Sequence, residues 1–202
     1  MKDLIKQILR ENLLNEGKQV GILYHFTRAN YAVNILEQNN MRPHAENGLL
    51  GVSMTRNKDF WNVLRSATGG PVRFKFDGNK ISNNYKVIPF NAFQSSSRSQ
   101  DVRHVESEEL VIVKFGTNFK PIDYLIEITV NLDKIVNDYI DFTANYENDF
   151  KAVLGTLNKV EELKKIMNAK NIKINWKADK IFNNELISAQ LKKYVKNLIF
   201  NK

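Results

Sequence analysis

The chain contains no cysteine, so a disulfide scaffold, a thiolate nucleophile and a cysteine-based zinc site are all excluded. It also lacks any apolar run near the roughly 20 residues a membrane-spanning helix needs. No internal repeat is visible. The remaining composition, 43% hydrophobic and 26% charged over 202 residues, is that of a folded domain with a real core and not of a disordered chain. These absences together suit a soluble protein of a reducing compartment, and the expected setting is cytoplasmic.

Charge is present in excess and unevenly spread. The formal net charge is +8, and residues 151–202, with twelve lysines and four acids, account for all of it. The first 150 residues hold eighteen basic and eighteen acidic side chains. A neutral body with a basic C-terminal section suggests a separate task for that section, because lysines neutralise phosphates and steer polyanions. Trp176, Phe182 and Tyr194 lie among these lysines, where they serve either as that section's core or as stacking rings for nucleobases.

Periodicity divides the chain into an N-terminal helix (1–17), a central α+β core (18–133) and a basic helical section (134–202). In the first segment Leu4, Ile5, Ile8, Leu9, Leu13 and Leu14 alternate with charges, which gives one face of an amphipathic helix and not a signal peptide. Residues 20–26 (VGILYHF) read as a buried strand. Thr27 is the expected cap of a helix over 29–38, with Tyr31, Ala32, Ile35 and Leu36 facing inward. A second strand is expected over 49–54 (LLGVSM), followed by a short helix carrying Phe60, Trp61 and Leu64. Val72, Phe74 and Phe76 alternate with Arg73 and Lys75 as in a half-buried strand. Asp77-Gly78 reads as a turn. Further strands are expected over 85–90, 110–115 and 124–132, with a polar loop over 94–108. Helices are expected over 149–168 and 184–200. Strands that cluster after the early helices argue for an α+β fold and against a doubly wound parallel sheet.

Three stretches at strand ends could carry chemistry: Leu23-Tyr24-His25-Phe26-Thr27, Gly51-Val52-Ser53-Met54-Thr55-Arg56, and Glu106-Ser107-Glu108-Glu109 leading into Leu110-Val111-Ile112-Val113. Each is ambiguous alone. A histidine in an apolar strand is commonly a core residue. Serine and threonine cap helices routinely. Neighbouring carboxylates repel one another and can raise a pKa, or they can turn to water.

Taken in order, the three stretches resemble the ADP-ribosyltransferase superfamily. In that superfamily a strand bearing Arg or His is followed by a strand with a Ser-x-Thr or Tyr-type motif and by a strand that begins with a catalytic Glu. The resemblance covers about residues 20–132 and rests on "LYHFTRANYAVNILEQNNMRP", "GVSMTR" and "EELVIV". It implies an α+β fold with a split-sheet core that uses NAD as substrate without a metal. His25 would bond a ribose hydroxyl, and the main chain of Tyr24 to Thr27 would hold the nicotinamide amide. Ser53 and Thr55 would brace the catalytic Glu or a ribose. Glu109 would be the catalytic carboxylate, since it alone directly precedes the apolar strand, with Glu108 and Glu106 as alternates. Arg28 and Arg56 would meet the pyrophosphate, and Tyr85 or Phe60 would supply a stacking ring. The His-bearing first motif is closer to the diphtheria-toxin and poly-ADP-ribose branch than to the arginine-modifying one.

The implied activity is transfer of ADP-ribose from NAD to a macromolecule, with nucleic acid or a nucleic-acid-bound protein as partner of the lysine-rich section. RNA 2′-phosphotransferases share the fold and rank lower. The alternatives are a non-catalytic, basic nucleic-acid-binding or virion-associated protein, or an interaction protein docking through its first helix. A lysine- and asparagine-rich composition suits a bacterial, bacteriophage or toxin setting.

Overall fold

A computed structural model describes residues 20–46, 49–59, 61, 70–90, 108–140, 146–185 and 187–200. The expected N-terminal helix, most of the helix around Trp61 and nearly all of the 94–108 loop lie outside the described residues, as do Glu106 and Phe60. No helix among the described residues is long and apolar enough to cross a membrane.

The chain is a mixed α+β protein. In order, its elements are β1 (Ile22–Thr27), α1 (Ala29–Gln38), β2 (His44–Glu46), β3 (Leu49–Thr55), β4 (Val72–Asp77), α2 (Gly78–Ser82), β5 (Val87–Phe90), β6 (Glu108–Ile112), a 3-10 turn (Pro121–Tyr124), β7 (Leu125–Asn131), α3 (Leu132–Ile140), α4 (Tyr146–Ala169), β8 (Lys173–Lys177), α5 (Asp179–Asn183) and α6 (Ala189–Phe200). Among the described residues the strands form an eight-stranded mixed sheet of order β5-β6-β3-β1-β4-β7-β8, with β2 paired to β3. The β2–β3, β3–β6, β5–β6 and β1–β3 pairs are antiparallel, and β7–β8 is parallel.

Two compact units are resolved by contacts. The first comprises Met1–His25, Met41–Lys58 and Lys75–Leu125. Its apolar core includes Leu23, Met41, Val52, Met54, Phe76, Ile81, Leu110, Val111 and Phe119, and burying one such large side chain stabilises by about 1.5–3 kcal/mol. The aromatic centre of this core is a cluster in which Phe119 stacks on Tyr124 at 5.4 Å and meets Phe76 edge-on at 6.0 Å. Met41 and Phe119 exchange main-chain hydrogen bonds of 2.9 and 3.3 Å.

The second unit comprises Phe26–Asn40, Asp59–Phe74 and Ile126–Lys202. Helix α4 buries Val153, Leu157, Val160, Leu163 and Met167, a stripe at helical spacing, and packs against α1 and α3. Leu191, Val195 and Leu198 form the matching stripe of α6. Asp133 of α3 is buried, and its Oδ1 accepts from the main-chain N–H groups of Lys180 and Ile181 at 3.0 Å each, capping α5 from a distant element.

Several local expectations need correcting. Helix α1 has the expected bounds, but Arg28 and not Thr27 holds its N-cap position, with no side-chain cap bond. Its buried face is Ala29, Ala32, Val33 and Leu36, while Tyr31 is exposed. The inward stripe is thus rotated toward Ala29 and Val33, on a helix that packs against α4. Asn39 ends α1 in the left-handed region at φ 45. The Asp77-Gly78 turn continues as α2, with Asp77 accepting from the Lys80 N–H at 2.9 Å. The basic C-terminal section is not wholly helical. Lys173-Ile174-Asn175-Trp176-Lys177 forms β8 beside β7, as its polar/apolar alternation and its Ile and Trp allow.

Candidate functional site

Two of the three sequence stretches that could carry chemistry fall on adjacent strands, β1 and β3, and the third on β6, next to β3. Neighbouring strands are spaced by about 4.8 Å, so β1 and β6 lie about 10 Å apart at the backbone. Tyr24 of β1 pairs with Thr55 of β3. Across the other edge of β3, Ser53 pairs with Leu110, Met54 with Glu109 and Thr55 with Glu108. Tyr24, His25, Ser53, Thr55, Arg56, Glu108 and Glu109 all belong to the first unit.

His25 is half-buried, and its Nδ1 lies 3.0 Å from the main-chain oxygen of Ser53. A carbonyl oxygen only accepts, so Nδ1 carries the proton, and Nε2 of the neutral ring is an acceptor. Burial of the ring holds its pKa below the ordinary 6.5; the bond to Ser53 opposes this, and nearby His44 adds to it. The neutral imidazole is therefore favoured, and it can accept a hydrogen bond from a sugar hydroxyl through Nε2.

Glu109 is 5% exposed. Its Oε1 accepts from Nε of Arg56 at 2.7 Å, with the guanidinium side chain 43% exposed. Arg56 lies two residues beyond Met54, the register partner of Glu109, so the ion pair is a diagonal cross-strand contact on one face of the sheet. A carboxylate this buried needs such a partner.

Ser53 and Thr55 are expected to brace either the Glu or a ribose; the side chain that holds Glu109 is Arg56. Successive strand residues face opposite sides, so Ser53 and Thr55 leave β3 on the side away from Met54. Thr55 Oγ1 accepts from the Asn57 N–H at 3.1 Å. The Ser53 hydroxyl lies 3.2 Å from Nε2 of His44. His44 is a member of this cluster that sequence reasoning missed. It follows Pro43 in a short polar segment without periodicity, and only the β2–β3 pairing of His44 with Gly51 brings it there.

Tyr85 does not stand beside these strands as an open stacking ring. It packs edge-on against Phe119 at 5.3 Å and Tyr124 at 5.9 Å. Phe26, Thr27 and Arg28 belong to the second unit. There Phe26 meets Trp61 edge-on at 4.8 Å, and Arg73 lies over the Trp61 ring at 5.3 Å. Thr27 is buried, with its carbonyl against Gly70, and Arg28 is exposed.

Among the described residues no group of three or more His, Asp or Glu is placed to hold a metal ion. A groove of about 270 Å³ between α4 and α6 is lined by Glu161, Lys164, Lys165, Asn168, Tyr194 and Asn197 together with Leu198. Polar groups of its lining serve one another: Lys164 donates to the Leu198 carbonyl at 2.6 Å, and Tyr194 donates to Glu161 at 3.3 Å. It is a seam between helices, remote in the sequence from the three motifs.

No protein-family model and no curated protein matches this sequence.

Proposed function

We propose that this chain is an ADP-ribosyltransferase that cleaves NAD and passes ADP-ribose to a macromolecular acceptor, nucleic acid or protein, releasing nicotinamide. The observation that carries this reading is the convergence of the three motifs on the neighbouring strands β1, β3 and β6, with a neutral-favouring His25 joined to Ser53 and a buried acid at Glu109. The finer fold expected from the resemblance, an ADP-ribosyltransferase-like core, belongs to the same proposal.

In this reading His25 accepts a hydrogen bond from a ribose hydroxyl and fixes the dinucleotide. Glu109 holds the 2′-hydroxyl of the nicotinamide ribose and stabilises the oxocarbenium-like charge that grows at C1′. The C1′–N bond breaks, and nicotinamide leaves with the electron pair. A nucleophile of the acceptor bonds to C1′ and gives up its proton. Glu108, which pairs with Thr55 in register, and Glu106 remain the alternate carboxylates.

The test is nicotinamide release on incubation of the full chain with NAD, with and without nucleic acid and cell-lysate protein. Glu109→Gln is expected to lower the rate at least about 100-fold. Absence of release from the unaltered chain under all these conditions would sink the proposal. Release that survives replacement of Glu106, Glu108 and Glu109 together would discard the site.

A second reading, a non-catalytic nucleic-acid-binding protein, is favoured by the exposed Lys170, Lys173, Lys177, Lys180, Lys193 and Lys196 of the second unit. It predicts salt-sensitive binding without nicotinamide release.

A further inference from the structure

Phe115 is 97% exposed, and a braced turn holds it there. Lys114-Phe115-Gly116-Thr117 closes with the Thr117 N–H donating to the Lys114 carbonyl at 3.0 Å. The Thr117 hydroxyl donates to the same oxygen at 2.7 Å. Gly116 sits at φ 76, the left-handed conformation that the third residue of a type II turn requires. Both stems are anchored. The Val113 N–H donates to the Leu50 carbonyl at 3.0 Å, and Phe119 exchanges main-chain bonds with Met41, its ring fully buried in the aromatic core. A loose loop could fold an apolar ring back onto the surface; this turn keeps it in water.

The surroundings are cationic. Residues 112–120 contain Lys114 and Lys120 and no acid, and both lysines are exposed. The antiparallel Met41–Phe119 bridge sets the exposed Arg42 beside Asn118. Leu49, 41% exposed, stands at the same end of β3, next in line after the Leu50–Val113 bond. All of these residues belong to the first unit, whereas the lysine-rich section belongs to the second. A single exposed apolar side chain is ordinary. A ring fixed at near-complete exposure among Lys114, Lys120 and Arg42 has the parts of a contact for a polyanion that also offers flat apolar faces.

We infer that this turn binds single-stranded nucleic acid, with the Phe115 ring stacked on an unpaired base and Lys114, Lys120 and Arg42 on the flanking phosphates. Stacking on an aromatic ring needs only the π face of a base and is tolerant of sequence. In a duplex those faces are already covered by neighbouring pairs, so the ring selects single strands. An anionic bilayer offers the same sign of charge, but Gly116, Thr117 and Asn118 share the tip with Phe115 and would lose their water in hydrocarbon. A nucleic-acid surface leaves them wet. The inference goes beyond the transferase reading, which leaves the acceptor open between nucleic acid and protein, and it stands whether or not NAD is cleaved.

The test is fluorescence anisotropy of the full chain with a labelled mixed-pyrimidine single strand and with a labelled duplex, for the unaltered protein, F115A, F115W and K114Q/K120Q. F115A is expected to weaken single-strand binding about tenfold, the loss of one base–aromatic stack, and to leave duplex binding unchanged. F115W is expected to bind the single strand as the unaltered chain does. K114Q/K120Q is expected to lower the slope of log K against log salt by about 1.4 on the single strand, roughly 0.7 for each cation. Because the ring lies outside the core, F115A is expected to melt with the unaltered chain, so its weaker binding is not a folding effect.

No single-strand binding by the unaltered chain would overturn the inference, as would no loss in F115A or equal losses on single strand and duplex. So would sedimentation with phosphatidylserine-containing vesicles that F115A abolishes while single-strand binding persists, which would assign the turn to a lipid surface. Nicotinamide release is read separately: its absence ends the transferase reading and leaves the Phe115 contact intact.

Discussion

Nδ1 of His25 donates to the main-chain oxygen of Ser53 at 3.0 Å, so a side chain joins β1 to β3 one residue beyond the Tyr24–Thr55 pair. The contact fixes the ring's tautomer and ties its protonation to stability. Burial holds the folded-state pKa below 6.5, so the unfolded chain binds the proton first as pH falls. The His25 contribution is therefore complete above about pH 6.5 and is lost as pH drops from there toward the lower folded-state pKa. Urea unfolding between pH 5 and 7.5 is expected to show this slope, and His25→Gln to flatten it. An unchanged slope would mean that residue 25 is not the titrating group.

Breaking the Arg56–Glu109 pair from its two ends is expected to have unequal effects. Arg56→Ala leaves a buried carboxylate without its cation and is expected to cost about 2 kcal/mol, the lower side of the range for a buried pair because the arginine is half in solvent. Glu109→Gln removes the charge itself and is expected to cost about 1 kcal/mol. Denaturant midpoints of the two variants check the order, and equal losses would contradict it.

Gly70 is required for lack of space. A Cβ there would lie 1.9 Å from the Thr27 carbonyl oxygen and 2.5 Å from the Arg28 nitrogen. Both are main-chain atoms that no rotamer change can move. Gly70→Ala is expected to lower stability by about 3 kcal/mol or to prevent folding, as seen by circular dichroism and urea titration. Gly155, exposed on α4 with no atom within 4 Å of an added Cβ, is the contrast: Gly155→Ala is expected to stabilise by about 0.5–1 kcal/mol through helix propensity.

Asp133 caps α5 from α3 with two N–H bonds of 3.0 Å, while its Oδ2 is buried with no partner. Asp133→Ala is expected to cost about 2 kcal/mol. Asp133→Asn keeps one acceptor oxygen and is expected to recover about half of that. Thermal unfolding of the two variants decides, and an Asn variant no better than Ala would show that the capping bonds contribute little.

If the second unit binds nucleic acid, replacing Lys170, Lys173, Lys177 and Lys180 with Gln is expected to reduce the slope of log K against log salt by up to about 3–4 for duplex DNA and to weaken all sequences alike. Fluorescence anisotropy with two unrelated duplexes measures both. A loss confined to one sequence would contradict backbone-only contact.

Much of the fold was legible along the chain. Alternation in Val72–Asp77, the apolar run before Thr55 and the helical stripe from Val153 to Met167 are local patterns, and local hydrophobic period sets local conformation whatever the partners. That same logic marked His25, Ser53, Thr55 and Glu109 as chemically interesting. It overlooked β8 because five residues between two helices carry too little periodicity to stand out, and their pairing partner, β7, lies 46 residues upstream in register, as in Glu127 with Lys173.

By itself the sequence determined the α+β class, the bounds of α1, the basic C-terminal bias and the exclusion of cysteine chemistry, since each depends only on residue type and near neighbours. Tertiary structure alone decided that Glu109 is held by Arg56 and not by Ser53 or Thr55, that His44 reaches Ser53, and that Tyr85 joins Phe119 and Tyr124. Those choices follow from strand register, where a shift of one residue reverses the face of every side chain. Register is a long-range property set by which strands pair, and composition and spacing leave it open.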